Sequence, residues 1–312
     1  MYKSGNWRIV TKVGLIFCLA FSMISASALL AQGRRGQRAA AGSDSLPGGT
    51  VALHDLQYVT NGHVHQKLDL YLPKGNKKVP LIVFIHGGAF TRGDKKDQNP
   101  APFLSDGYAF ASLNYRLSQD AIFPAQIEDC KAAIRWLRRN AEKYRLDPDR
   151  FGAWGTSAGG HLVALLGTTG DTKLFDVGEN LEFSSRIQAV ADWFGPTDFL
   201  QMDAHKLPNG MGHDAPGSPE SRLIGGAIQR NKEKVAAANP ITYISPGAPP
   251  FLIAHGDADR LVPYQQSVLL AAALKAVEVP VTFYTVKGGG HGFRNAAADK
   301  LRTEFFAKYL KR

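Results

Sequence analysis

The chain has 312 residues, 44% of them hydrophobic and 21% charged, with a formal net charge of +10. That composition excludes a disordered or fibrous chain and supplies enough apolar side chains for a core. The basic surplus accompanies no nucleic-acid motif, so it fits solubility, or contact with anionic envelope material or polysaccharide, better than a DNA role.

In chain order, Lys3, Arg8 and Lys12 precede an apolar run at 13–21, and small residues follow at Ala26, Ser27, Ala28 and Ala31. A basic start, an apolar stretch and small residues at a cut site predict a secretory signal peptide over 1–31. The alternative is an uncleaved membrane anchor, because the apolar stretch reaching Leu30 approaches spanning length. Phe17, ahead of Cys18, is too bulky for a lipoprotein cleavage box. Cleavage near Ala31 removes three basic residues and no acidic one, lowering +10 to +7, and leaves Cys130 without a disulfide partner in the chain. Residues 32–50 are rich in Ala, Gly, Ser and Arg without periodicity and predict a flexible tether.

From Val51 onward strand and helix signals alternate without a linker, which predicts one catalytic domain over 51–312. Two antiparallel strands are expected over 51–71, joined at Asn61-Gly62, a hairpin signal. Strands follow near 81–85, 109–114, 151–154, 187–193, 251–255 and 281–286, and helices near 125–144, 157–167, 263–277 and 296–310. The fold class is therefore α/β, a mostly parallel sheet of about eight strands flanked by helices with right-handed crossovers. Cys130 falls in the first of those helices as a small buried apolar residue. Residues 146–150, with their two acids, read as turn residues leading into the next strand. The stretch 196–250 interrupts the rhythm with loops rich in Asn, Gly and Pro and a short helix at 220–228; it predicts a small lid insertion, with His205 and His213 exposed in a polar loop.

The chemistry-bearing residues stand where strands end. Gly155-Thr156-Ser157-Ala158-Gly159 lies between a strand-like and a helix-like run. A serine on such a turn needs small flanking residues, and the helix behind it presents free N–H groups to a developing negative charge, so Ser157 is the candidate nucleophile. The apolar run 81–85 ends in His86-Gly87-Gly88, whose glycines let backbone N–H groups approach an oxyanion; with the N–H of Ala158, Gly87 and Gly88 are the candidate oxyanion donors. His86 is expected to order this loop by hydrogen bonding rather than to act as a base. Downstream, 251–259 ends in His255-Gly256-Asp257-Ala258-Asp259, where Asp259, deeper in the loop, is the chosen acid and Asp257 the competitor. The run 281–286 leads into a glycine-rich loop carrying His291, the candidate base. Phe90, Trp193, Phe199, Met202 and Met211 are candidates for an acyl or aromatic pocket, with core packing the equal alternative for each. His63-x-His65 lacks a third ligand type nearby in sequence, and no cluster suggests a metal or organic cofactor, so none is expected.

Taken together, Leu68-Asp69-Leu70-Tyr71-Leu72-Pro73, His86-Gly87-Gly88-Ala89-Phe90, Asn114-Tyr115-Arg116-Leu117, Gly155 through Leu162, His255 through Asp259 and Gly290-His291-Gly292-Phe293 resemble the α/β-hydrolase superfamily. Within it they are similar to the acetyl-esterase/lipase group that includes feruloyl and acetylxylan esterase-like proteins. The resemblance spans most of the chain from Val51. It implies the chain order nucleophile, acid, base, an acyl-enzyme on Ser157, no cofactor, and small or carbohydrate-linked esters as substrates. Ala89 departs from relatives of the hormone-sensitive-lipase type, which carry a third glycine there, and this leaves the donor pair open. Two rivals share parts of the pattern. A peptidase of the prolyl-oligopeptidase type normally carries a large propeller ahead of the hydrolase domain, whereas about 80 residues precede His86. A non-catalytic binding protein of this fold requires a lost triad member, and every candidate position is filled.

Overall fold

The computed structural model describes residues 45–311. The segment read as a signal peptide and residues 32–44 of the expected tether lie outside the described residues. In chain order the elements are β1 (Val51–Gln57), β2 (Lys67–Leu72), β3 (Val79–Ile85), α1 (Ala101–Ser105), β4 (Ala109–Leu113), α2 (Ala125–Arg139), β5 (Leu146–Thr156) and α3 (Ala158–Thr168). They continue with β6 (Ala189–Trp193), α4 (Met202–His205), α5 (Pro219–Ile224), α6 (Lys232–Ala238), β7 (Phe251–Gly256), α7 (Gln265–Ala276), β8 (Val281–Val286) and α8 (Ala296–Leu310). The eight strands form one sheet in the order β1-β2-β4-β3-β5-β6-β7-β8. β2 pairs antiparallel with β1 and with β4, and the remaining neighbours are parallel.

The central strands are apolar on both faces because each face carries its own helix layer. Leu81, Val83 and Ile85 of β3 join Phe151, Val190 and Ile253 in the cluster containing Ile134, Leu162 and Leu270 of α2, α3 and α7. The alternate residues Ile82, Phe84, Trp154, Ala191 and Leu252 face the opposite way, against Phe103 of α1 and Phe306 of α8. Cys130 is free and buried within the first cluster. Among the described residues no helix is long and apolar enough to cross a membrane.

Several expectations are corrected. Gln57 pairs with Lys67, so the β1–β2 connection spans nine residues; Asn61-Gly62 closes a local turn (Gly62 N–H to Val59 O, 3.1 Å) inside that loop instead of forming the hairpin turn itself. β5 begins at Leu146, so 146–150 belong to the strand, with Val79 paired to Leu146. Helix α1 had no apolar periodicity long enough to be read. At the outer edge, the β1–β2 register skips between Leu53 and Leu56, and Asp55 takes a left-handed φ of 55°. Its N–H donates to Asp69 Oδ1 (2.8 Å), while Lys95 Nζ lies 2.7 Å from Asp69 and 3.2 Å from Asp55.

The insertion between β6 and β7 is more ordered than its composition suggests. Besides α4, α5 and α6 it holds 3₁₀ turns at Phe199–Gln201, Ile228–Arg230 and Pro240–Tyr243. His205 is exposed, but His213, expected to be exposed too, is buried. Its Nδ1 lies 2.9 Å from Glu220 Oε2 and its Nε2 2.9 Å from Leu261 O, so both ring nitrogens donate and the ring is an imidazolium between the insertion and the loop after β7. Burial alone would lower its pKa, yet the bond to Glu220 and that carboxylate's charge raise it above the ordinary histidine value.

A second buried titratable group, Asp192 on β6, accepts the Gly195 N–H at Oδ1 (3.0 Å), while Oδ2 has no hydrogen-bond partner. Burial pushes its carboxyl up to about 7, against the lowering effect of the Gly195 bond.

Both groups make the native state hold protons that the unfolded chain releases, so both make stability fall as pH rises. For His213 the contribution is complete below the unfolded histidine value of about 6.5 and is lost as pH climbs through the raised native value. The stability gap between wild type and Glu220→Gln, followed by urea unfolding, is expected to be widest at pH 5.5 and to narrow by pH 8.5; a constant gap would refute the ion pair. For Asp192 the penalty builds between about pH 4 and 7. Asp192→Asn is expected to match wild type near pH 4 and to exceed it at pH 8 by about 2–4 kcal/mol, at 1.36 kcal/mol per pKa unit. A variant no more stable at pH 8 would contradict a buried, proton-holding carboxyl.

Candidate active site

Thr156 ends β5 and Ala158 opens α3, which leaves Ser157 alone at the turn with φ 55° and ψ −121°. Only glycines tolerate the packing around it. A Cβ at Gly155 would stand 2.2 Å from Gly159 O, and one at Gly159 would stand 2.0 Å from Ile85 O at the end of β3. Ser157 N–H donates to Trp193 O (2.9 Å), which ties the turn to β6. The N–H of Ala158 lies in the first turn of α3, where no intrahelical acceptor exists.

The loop after β3 lies against this turn, since a Cβ at Gly87 would meet Thr156 O at 2.7 Å and Ser157 Cβ at 3.1 Å. Gly88 has φ 114°, and Gly88 O accepts from Thr91 and Arg92 N–H at 3.1 Å each. Ala89 holds φ 57°, a left-handed position costing a non-glycine residue about 1–2 kcal/mol. His86 Nδ1 donates to Gly87 O (2.7 Å) and its ring stacks on Tyr115 at 4.5 Å, while Tyr115 Oη donates to His86 O (3.0 Å). His86 thus orders the loop, and burial lowers its pKa.

From the loops after β7 and β8 the structure brings Asp259 and His291 to Ser157. Ser157 Oγ lies 3.0 Å from His291 Nε2, and His291 Nδ1 lies 2.7 Å from Asp259 Oδ2. Asp257 points elsewhere, its Oδ1 accepting the Gly288 N–H at 2.6 Å. Asp259 is buried and also receives Leu261 N–H (2.8 Å) and Val262 N–H (3.0 Å) at Oδ1. Burial works to raise its pKa, but the hydrogen bonds from His255 and His291 prevail and hold the carboxyl well below the usual carboxylate range.

Three residues of this site escape the sequence reading. His255 is fully buried; its Nε2 donates to Val262 O (3.0 Å) and lies 3.2 Å from Asp259 Oδ2, while Ser267 Oγ donates to its Nδ1 (2.7 Å). Phe194 packs edge-on against the His291 ring at 4.7 Å. Asp192 Oδ1 would lie 2.3 Å from a Cβ at Gly160, one turn into α3. The histidine preceding Gly256 is the only one of the three with a visible signal, its place two residues before Asp257. Among the expected pocket residues, Phe90, Phe199, Met202 and Trp193 are buried. Phe199 stacks on the His161 ring at 4.9 Å and Phe90 meets it edge-on at 5.5 Å, while Trp193 faces the opposite side with Trp154. These four serve the core.

The expectation that His63-x-His65 has no third ligand type near it is also corrected. Asp120, 55 residues from His65, lies with its Oδ2 2.6 Å from His65 Nδ1. Folding supplies what the local spacing lacks.

Comparison with known proteins gives the arrangement a family. The BD-FAE family model matches residues 68–274, a range that includes Ser157 and Asp259 and ends before His291. Esterase LipC of Mycobacterium tuberculosis is 30% identical over 73% of this chain and 57% of its own length. The chain spans about half the length of the curated relatives it matches first. Among solved structures, the bifunctional GH43-CE of Bacteroides eggerthii is 39% identical with a TM-score of 0.75, covering 82% of this chain and 38% of that one. A truncated carbohydrate esterase from gut microbiota is 34% identical at the same TM-score of 0.75, covering 84% of this chain and 97% of that one. With a family match across two thirds of its sequence and this sheet order, the chain belongs to the BD-FAE family, an esterase group of the α/β-hydrolase superfamily.

Proposed function

We propose that the protein is a serine carboxylesterase acting on short-chain or carbohydrate-linked esters. The observation that carries this reading is the unbroken hydrogen-bond chain Ser157–His291–Asp259 at the ends of three parallel strands. Ser157 Oγ attacks the ester carbonyl carbon while its proton passes to His291 Nε2. Asp259 stays ionised, holds Nδ1–H and offsets the imidazolium charge. The carbonyl oxygen, now an oxyanion, is met by the N–H of Ala158 with those of Gly87 and Gly88, each worth about 3–4 kcal/mol in the transition state. The intermediate collapses, the leaving alcohol takes the proton from Nε2, and the acyl group remains on Oγ. Water then attacks the acyl-enzyme with His291 again as base and regenerates Ser157.

The carbohydrate-linked class is supported by the truncated carbohydrate esterase of gut microbiota, 97% of which is covered by 84% of this chain. Export of the protein rests on the basic-apolar-small pattern of 1–31. N-terminal sequencing of protein recovered from outside the cytoplasm should begin near residue 32, and an intact Met1 there would contradict a cleaved leader.

A series of 4-nitrophenyl esters from acetate to dodecanoate, with methyl ferulate and acetylated xylan, tests the activity. Turnover is expected on short, feruloyl or xylan esters and should fall by a factor on the order of 10⁴ or more in kcat for Ser157→Ala and His291→Ala. Asp259→Asn should lose about 10³–10⁴-fold and Asp257→Asn only a few-fold. His255→Gln, which disturbs the acid without touching substrate, should lower kcat more than it changes KM. Ester turnover retained in Ser157→Ala would overturn the nucleophile, and equal losses in the two aspartate variants would overturn the choice of acid. Peptide cleavage without ester turnover would favour a peptidase.

A further inference from the structure

We propose that His63, His65 and Asp120 form a binding site for one divalent transition-metal cation of the zinc type, separate from the Ser157 site. One ligand atom from each residue can be chosen so that all three lie within 4.8 Å of one another. His65 Nδ1 is 2.6 Å from Asp120 Oδ2, His63 Nε2 is 3.9 Å from Asp120 Oδ1, and the two rings lie 5.2 Å apart, inclined at 66°. Ligands at about 2.0–2.1 Å from a tetrahedral ion stand roughly 3.3 Å from each other. The His65–Asp120 contact must therefore open, and the His63–Asp120 gap close, by about the same amount, each somewhat less than an ångström, which side-chain rotation supplies.

The backbone holding these side chains is already fixed. The loop carrying the histidines is closed by Gln66 N–H to His63 O (2.9 Å), by His63 N–H to Gln66 Oε1 (2.7 Å), and by Gln66 Nε2 donating to the buried Asp129 (2.6 Å). Asp120 is held by its N–H to Leu117 O (2.8 Å) and by Leu117 N–H to its own Oδ2 (2.9 Å). The long bond from His65 N–H to His63 Nδ1 (3.3 Å) gives way when the ring carries its proton on Nδ1 and offers Nε2 to the ion. The side chains are 37%, 33% and 16% exposed, so an ion enters from solvent and keeps water in the remaining position.

Two imidazoles and one carboxylate favour zinc, cobalt or nickel over magnesium or calcium, which take oxygen ligands. A bound ion joins the β1–β2 loop to the turn at 117–121. That turn already braces the oxyanion loop through Ser118 N–H to Phe90 O (2.8 Å) and Gln119 Nε2 to Thr91 O (3.1 Å).

Isothermal titration of the chelator-stripped full chain with Zn²⁺, and with Mg²⁺ as control, tests the site together with thermal unfolding in Zn²⁺ or EDTA. One Zn²⁺ per chain, no Mg²⁺ uptake at the same concentration, and a Zn²⁺-dependent rise in Tm are expected. His65→Gln and Asp120→Asn should each weaken binding at least tenfold and remove the rise in Tm; the asparagine keeps an acceptor for Leu117 N–H, so its fold is preserved. Absence of stoichiometric Zn²⁺ binding, or binding unchanged in both variants, would overturn the proposal. Neither result bears on Ser157-dependent turnover, which is read separately.

Discussion

The Ile85 carbonyl at the end of β3 stands where a side chain would begin at Gly159, 2.0 Å from the place a Cβ would take. Nothing larger than hydrogen fits. Because α3 can come that close to β3, Ser157 is pressed into its left-handed turn directly beside the Gly87 backbone. The serine and its candidate oxyanion donors are thus brought together by one steric contact between the start of α3 and the end of β3. Their spacing is inherited from the 4.7–4.9 Å separation of neighbouring parallel strands.

Electrostatics then take over where packing stops. Asp259 is buried, a position that ordinarily favours the neutral acid, yet two imidazoles and two backbone N–H groups converge on it. The carboxylate therefore remains charged at the pH values where His291 must hold its orientation. His255 shares Asp259 Oδ2 with His291, and the Val262 carbonyl, which can only accept, sets the His255 tautomer in turn. This is a chain of fixed dipoles that requires no rearrangement when charge develops on His291. Asp192 lies on the other flank of the elbow under the opposite regime, where a single N–H donor does not outweigh burial and its carboxyl is pushed up to about 7.

The features legible in the sequence are those carried by local pattern. The apolar runs at 81–85, 251–255 and 281–286 correspond to β3, β7 and β8, and the helix expected at 296–310 corresponds to α8. The glycine spacing around Ser157 marks a close backbone approach in the sequence itself. What escapes depends on neighbours distant in the chain. Residues 146–150 extend β5 because β3 offers Val79 as a partner, despite Pro148 in their midst. His213 sits among polar residues yet is buried, since Glu220 and Leu261 close over it. Asn61-Gly62 makes its turn, but the nine-residue loop is dictated by the pairing of Gln57 with Lys67. Asp120 meets His65 across 55 residues of chain, and no local spacing encodes that meeting.

The irregularity in β1 has a bearing on how molecules of this protein meet. Among the described residues β1 is the outermost strand, and its outer side would offer a ladder of amides and carbonyls to any extended segment that drifted against it. The left-handed kink at Asp55 breaks that ladder midway, and the carboxylate there, tied to Lys95, places a charge at the break. An incoming strand could match only a few residues before losing register and having to strip water from Asp55. The kink and the charge thereby oppose growth of the sheet into a neighbouring molecule through this edge.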